Sequence, residues 1–487
     1  MDLQTFIRDL ETHYPSEVLR VTKGPLSPAE GECTALLHHL MRMGKWPAAV
    51  FEHVTTLKGE RWPGTAVYGV AGTWTKVGIG YGLPPDDLNP LAVQFETAKR
   101  IGQLIKSVVV DPTDAPVKKQ TFKSKEISFF DLPGYRNNLK DSRPGWVTGV
   151  IIGKDPDTGR YNLSWHRNNL LRPDRATCRI EPRHFWEIMQ KYERAGKEWV
   201  PFAQVFGHHV GFGLAGAIRT GQDVDEYELA GGIFGEPLRL TPSTALGDDF
   251  LIPADAEVVL EGYVSTKERD FNGPWVDFLR YYSPQTKEPV IKIAALDMRS
   301  NPHFEHTWVG QYVYSDVAHS SFLRNFLATR FKGVGAVNYV APCTVIIQFH
   351  PNRPGDVRRL VGMAHAYGDF VKHIIVVDDD IDPFDLSQVF FAMGTRVDAS
   401  KQTYVVDGLS PLRQDPSAKG ETIFGTHIMG PIGGLVVDST KPVAQVFDEI
   451  GYPEKTVLEK IKLKSFVDDE TVGKLVTGRT TRPWAMI

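Results

Sequence analysis

Cysteine is scarce, with three in 487 residues (Cys33, Cys178 and Cys343) and no C-x-x-C pair. A disulfide framework and a zinc ribbon are therefore excluded, and a reducing cytosol is the expected compartment. Charge of one sign is also lacking. Fifty-five Lys and Arg against 59 Asp and Glu leave a net charge of -4, which gives no electrostatic drive towards nucleic acid or an anionic membrane. Long apolar runs are missing, since Val345-Ile346-Ile347 and Ile374 to Val377 are strand-sized. The opening M-D-L-Q-T-F-I-R-D-L-E reads as an acidic amphipathic helix, without the basic-then-apolar layout of an export signal. G-I-G-Y-G (78–82) and G-V-G-A (333–336) fall short of a full G-x-G-x-x-G after a strand, which disfavours a dinucleotide fold. Internal repeats and low-complexity segments are absent.

What is present is ordinary globular composition, 42% hydrophobic and 23% charged, in a chain long enough for two or three domains. The spacing of Leu3, Phe6, Ile7 and Leu10 predicts a helix over 2–13. Ser27-Pro28-Ala29-Glu30 is a helix start, and the helix carries Leu36, Leu37, Leu40 and Met41 as far as Gly44. Strands are expected at 48–54 and 65–70. A helix opened by Asn89-Pro90 should turn Leu91, Phe95, Ala98, Ile101 and Ile105 inward. That alternation makes 1–115 an α/β domain, closed by a linker-like D-P-T-D-A-P at 111–116. Over 116–305 short β-type runs are broken by Gly and Pro, the pattern of a β-barrel or sandwich with a helix at 182–194 inserted. From 306 to 487 the chain returns to α/β. The acidic run V-V-D-D-D-I-D-P-F-D (376–385) reads as a strand end before a Pro-started helix. His303-Phe304-Glu305-His306 has strand spacing and lacks the spacing of a helical zinc motif.

The stretch with most chemistry in it is Glu261 to Tyr282. A strand-like run enters a turn at Asn272-Gly273-Pro274. Asp277 follows among Trp275, Phe278, Leu279, Tyr281 and Tyr282, where desolvation would favour a protonated carboxyl. From this stretch alone, a turn aspartate capping a loop is the better reading of Asp277. Three further motifs lie upstream: N-L-S-W-H-R (162–167), E-P-R-H ending at His184, and D-E-Y-E-L-A-G-G-I-F-G with Glu226. Singly, Asn162 could be a turn amide, His184 a first-turn histidine and Glu226 a helix-start acid.

Together these blocks resemble the UbiD family of decarboxylases over nearly the whole chain. The matching points are N-x-x-x-x-R at 162–167, P-x-H at 182–184, E-…-A-G-…-G at 226–235, L-E-G-Y, N-G-P-W-V-D-…-Y-Y, and V-V-D-D-D-I-D-P at 376–383. The resemblance implies a central split β-barrel that binds prenylated FMN and a C-terminal α/β domain for oligomerisation, as a homodimer or homohexamer. It implies that Asn162, His184 and Glu226 hold Mn²⁺ or a similar divalent cation against the flavin phosphate, with K⁺ a further candidate. An amide oxygen, a carboxylate and phosphate oxygens suit a hard ion, and Mn²⁺ tolerates imidazole. Trp165, His166, Arg167, Pro182 and Arg183 match cofactor contacts. Arg167 matches the catalytic arginine, whose planar fork can hold a carboxylate bidentately. Asp277 matches the proton donor.

One position departs from the family. Members read E-G-P-x-G-[DE], and the first Glu belongs to a Glu–Arg–Glu network; here that position is Asn272, and Val276 replaces the Gly. A freer guanidinium or a crippled relay would follow. The resemblance implies reversible, non-oxidative decarboxylation of an aromatic or heteroaromatic acid, with Arg167 orienting the carboxylate and Asp277 donating the proton. A flavin prenyltransferase would supply the cofactor. H-T-W-V-G (306–310) nominates Trp308 and Val309 for the substrate pocket, and I-F-G-T-H-I-M (423–429) nominates His427. A catalytically inactive flavin-binding relative and an ordinary FMN oxidoreductase stay open as alternatives.

Overall fold

The computed structural model of the chain describes residues 2–308, 314–368, 370–412, 414–418, 420–423, 426–443, 445–448, 451 and 454–474, without the side chains of 420–429 and 469. It divides into two compact units, residues 1–326 with 408–432 and residues 327–407 with 433–487.

The first unit is built on a closed barrel of six antiparallel strands. These are β1 (Gly145–Lys154), β2 (Tyr161–Arg172), β3 (Arg175–Cys178), β4 (Trp199–Phe206), β5 (Val258–Asn272) and β6 (Thr286–Met298). Pairing runs β1–β2–β3–β6–β5–β4 and back to β1, so the ring has no free edge. Both faces of these strands are packed, which is why Trp146 to Ile152 reads as an almost unbroken apolar run. Val147 and Ile151 join one apolar cluster, and Val150 and Ile152 join another on the opposite face. Three helices lie against the barrel: α1 (His184–Arg194), α2 (Val210–Ala215) and α3 (Glu226–Phe234). α1 packs so closely on β1 that a Cβ at Gly153 would stand 2.5 Å from the Phe185 ring. α3 begins where Asp225 accepts from the Tyr227 amide at 2.9 Å and ends at Gly235, whose φ of 79° suits glycine.

The N-terminal segment adds a four-stranded sheet in the order Val18–Val21, Ala48–Phe51, Thr65–Tyr68 and His303–His306. The last strand arrives from beyond the barrel, so segments 1–115 and 116–305 share one unit. The expected linker at 111–116 is a pair of short 3-10 turns with Ala115 and Val117 buried. The first helix, Leu3–His13, buries Leu3, Phe6, Ile7 and Leu10 as its spacing predicts, and Asp2 caps it. The second helix starts later than Ser27-Pro28 predicts, because Pro28–Glu30 is a 3-10 turn and the α-helix is Glu32–Arg42, which buries Cys33, Thr34 and Leu37. The helix after Asn89 presents a different face from the one expected. Pro90–Ile101 buries Val93, Gln94, Thr97 and Ala98, whereas Leu91 and Phe95 are exposed. Thr97 is taken inside by bonds to the Val93 carbonyl and the Tyr81 hydroxyl, and Phe95 lies under the Arg324 guanidinium.

In the second unit a five-stranded sheet runs Val334–Ala341, Thr344–Phe349, His373–Val377, Ile432–Ser439 and Thr403–Leu409. Its central pairings are parallel, in keeping with the β-branched composition of those strands. The strand His373–Val377 ends as expected, but the helix Leu386–Arg396 starts three residues after Pro383, capped by Asp385 through the Ser387 amide. Among the described residues no helix is long and apolar enough to cross a membrane.

Candidate active site

Strand β2 carries the site along its length, with the two faces doing different work. Asn162, Ser164 and His166 alternate on one face; Trp165 and Arg167 alternate on the other. On the first face, Asn162 Nδ2 donates to Glu226 Oε2 at 3.0 Å, and the Leu163 amide donates to the same oxygen. The other Glu226 oxygen accepts from Thr220 Oγ1 at 3.0 Å and lies 3.4 Å from His184 Nδ1. Asn162, His184 and Glu226 thus converge on one small cleft, with Glu187 and Gln222 beside them. Their proximity follows from secondary structure: Glu226 and His184 each open a helix, α3 and α1, and both helix starts face β2. The Glu226 carboxylate holds the His184 imidazole above its ordinary pKa, against partial burial.

His166 is locked between the Arg179 carbonyl and Ser164 Oγ, each at 2.9 Å. Burial pushes its pKa down to about 4, so the ring is neutral. Trp165 Nε1 donates to the Gly213 carbonyl at 2.7 Å, and its ring tilts against Tyr314, 5.1 Å between centroids. Pro182 and Arg183 are exposed in the turn entering α1, with the Arg183 amide bonded to the Glu181 carbonyl.

On the opposite face of β2, Arg167 meets Asp277. Nη1 lies 2.9 Å from Asp277 Oδ2, with 13% and 9% of the two side chains exposed. The guanidinium sits over the Trp275 ring, 4.4 Å from its centroid. Burial lowers the Arg167 pKa, and Asp277 pushes it back. Arg167 Nε is buried with no hydrogen-bond acceptor. Asp277 Oδ1 accepts from the Phe278 amide at 2.8 Å. The sequence reading had Asp277 desolvated by a crowd of aromatics. In the structure Tyr281 and Tyr282 face solvent, at 63% and 39% exposure, and the closest charged neighbour of Asp277 is a cation.

Asn272 is buried, and its amide donates to Thr177 Oγ1 at 3.0 Å and to the Thr177 carbonyl at 3.3 Å. It ties β5 to β3. Trp308 is buried in the apolar cluster with Trp62 and Phe304 and also lines a cavity of about 740 Å³ with Arg136, Asn137 and Arg280. Val309 lies outside the described residues; of His427 only the backbone is described, in the strand Thr426–Met429. Sequence reasoning missed Asp141, which contacts the Asp277 hairpin directly through the Val276 amide. The two asparagines before it in R-N-N-L-K-D were the only local hint, since Asp so placed tends to accept from nearby backbone.

This geometry matches known proteins. Residues 108–312 match the 3-octaprenyl-4-hydroxybenzoate carboxy-lyase Rift-related domain, and residues 313–431 match the C-terminal domain of the same enzymes. A phenolic acid decarboxylase from Bacillus subtilis is 30% identical over 419 residues, 82% of this chain and 84% of the relative. The UbiD-class enzyme HmfF from Pelotomaculum thermopropionicum, solved with FMN, superposes with a TM-score of 0.82 at 26% identity, covering 96% of this chain and 100% of that one. An evolved dimeric form of the same enzyme, solved with prenylated FMN, gives 0.80 at 25% identity over 96% and 100%. The barrel and the mixed α/β architecture belong with these enzymes. The chain is a member of the UbiD family of carboxy-lyases.

Proposed function

We propose that this protein decarboxylates an aromatic or heteroaromatic carboxylic acid, reversibly and without net oxidation, using prenylated FMN and a divalent cation. The observation that carries this reading is the arrangement along β2. Five residues at about 3.4 Å each set Asn162 and Arg167 roughly 17 Å apart along one strand, which joins the proposed metal ligands to the Arg167–Asp277 pair.

The donor set fits the implied metal. Asn162, His184 and Glu226 offer an amide oxygen, an imidazole nitrogen and a carboxylate, a set suited to Mn²⁺. Asn162 Oδ1 now faces Ser164 Oγ at 3.4 Å; turning the amide over would present that oxygen to the ion. In this reading the flavin phosphate would supply further oxygen ligands. When bound, the prenylated flavin supplies the electron sink that the departing CO₂ requires and that no side chain here can provide.

Arg167 binds the substrate carboxylate. Its buried, unpaired Nε gives that carboxylate a donor while Nη1 stays with Asp277. A proton from solvent enters the Asp277 carboxyl before the chemical step. After the C–C bond breaks and CO₂ leaves, Asp277 passes the proton to the carbon that lost it. In the carboxylation direction the same group removes a proton from the ring carbon. Asn272 contributes no charge, so Asp277 is the carboxylate paired with Arg167. A homodimer or homohexamer formed through the C-terminal α/β region, and a flavin prenyltransferase as supplier, complete the proposal.

The test is co-expression with a flavin prenyltransferase, mass identification of the bound flavin, and CO₂ release from a panel of aromatic acids. Prenylated flavin with turnover supports the reading. Prenylated flavin with no turnover or deuterium exchange points to an inactive relative, and unmodified FMN with NADH oxidation to an oxidoreductase.

A further inference from the structure

The hairpin that carries Asp277 is too small to hold itself. Its strands, Trp275–Val276 and Tyr282–Ser283, pair over two residues each, and even a longer isolated hairpin is only marginally stable in water. A neighbouring loop grips it at three points. The Ser142 amide donates to the Pro274 carbonyl at 2.9 Å, and the Lys140 amide donates to the Tyr282 hydroxyl at 2.8 Å. Between them Asp141 Oδ1 accepts from the Val276 amide at 3.1 Å, one residue before Asp277.

Asp141 also organises the loop from which it reaches. Its Oδ2 accepts from the Asn137 and Asn138 amides at 3.0 and 2.8 Å and from Asn138 Nδ2 at 3.2 Å. The Arg136 guanidinium closes the loop by donating to the Asp141 carbonyl at 2.9 Å. The side chain is 2% exposed, so water cannot readily replace these bonds. Ser142 then fastens the loop to β2, donating from Oγ to Asn169 Oδ1 at 2.9 Å. Asn169 lies two residues from Arg167 on the same strand face. Loop, hairpin and β2 form one hydrogen-bonded frame around the Arg167–Asp277 contact.

We infer that Asp141 is a positioning residue that holds the Asp277 hairpin in register with Arg167. The inference rests on the role proposed for Asp277 and adds the group that fixes its place. Losing the tie leaves the Asp277 carboxyl chemically intact but free to drift, and displacement of a reacting group by about 1 Å can cost about 100-fold in rate.

The test compares the flavin-loaded wild-type protein with Asp141→Ala and Asp141→Asn, each also made in the Asp277→Asn background. Asp141→Ala is expected to lower kcat by between about 10- and 100-fold, with KM within about twofold and flavin content unchanged. Asp141→Asn keeps an acceptor for the Val276 amide and should recover part of the rate. In the Asp277→Asn background Asp141→Ala should cost nothing further, because both act through one group. Amide hydrogen exchange over 274–283 should quicken in Asp141→Ala. An equal loss of rate in both backgrounds, or unchanged exchange over 274–283, overturns the inference. Absence of turnover by the wild-type protein on every acid counts against the decarboxylase reading instead, and hydrogen exchange then still decides whether Asp141 clamps the hairpin.

Discussion

Replacing Asp277 with Asn isolates proton delivery from everything else in the site. The side chain keeps its size and its Oδ1 acceptor for the Phe278 amide, but it can no longer donate a carboxylic proton. Its removal also strands Arg167 in a largely buried position. Breaking a buried ion pair from one side costs about 3–5 kcal/mol. The Trp275 face, 4.4 Å away, holds the cation in both proteins and does not offset that cost. A loss of about 3–5 kcal/mol is therefore expected, enough to see in urea unfolding and too little to unfold a domain of this size. Turnover should fall by at least about 100-fold, the range associated with losing a general acid. Metal and flavin content should stay at the parent level, because Asn162, His184 and Glu226 sit at the far end of β2 and on its other face. Deuterium incorporation into product, flavin mass and metal content, measured on one preparation, separate these effects. Decarboxylation at the parent rate would refute the assignment of the proton donor. Lost flavin together with lost rate would refute the separation of the two ends.

Glu226→Gln should act in the opposite order, lowering metal and flavin occupancy before any effect on the chemistry of the molecules still loaded; unchanged metal and flavin content would count against the site. Arg167→Lys keeps the charge but loses the planar fork and much of the contact with Trp275, so KM for the acid should rise by about 10-fold or more while flavin binding holds. An unaltered KM would mean that the substrate carboxylate lies elsewhere. Glu305, buried and bonded to the Tyr314 hydroxyl at 2.9 Å, has its pKa pushed up by burial to about 7 from 4.5. Raised in the folded state, it contributes stability that is fully present below about pH 4.5 and lost as pH rises through about 7, on the order of 3 kcal/mol in all. Glu305→Gln should therefore gain stability relative to wild type between pH 5 and pH 8 in parallel denaturant titrations. A difference that does not change with pH would argue against a titrating Glu305.

The ordered motif blocks were enough to identify the family, and local patterns to identify the mixed α/β fold class. The almost unbroken apolar run from Trp146 to Ile152 specifies a strand packed on both faces, because successive side chains point to opposite faces and each face then receives apolar residues. The spacing of Leu3, Phe6, Ile7 and Leu10 fixes a buried helix face for a similar reason. The metal-binding candidates Asn162, His184 and Glu226 came from the family resemblance alone, since each taken singly reads as an ordinary turn amide, first-turn histidine or helix-start acid.

Tertiary structure decided the contacts between segments remote in sequence. Leu91 and Phe95 look inward-facing by type, yet Thr97 is buried instead once Tyr81 is beside it. Asn272 has the composition of a turn residue or of a lost catalytic acid, and the Thr177 strand next to it makes it an interstrand tie. Hydrophobicity around Asp277 suggested a dry aromatic pocket, but Tyr281 and Tyr282 turn outward and a guanidinium from β2 comes in beside it. Asp141 carries no motif at all, because its significance lies in the Val276 amide it meets only after folding. Local periodicity sets which side chains share a face; which charge meets which depends on barrel closure and loop packing, and these couple residues that no short-range pattern connects.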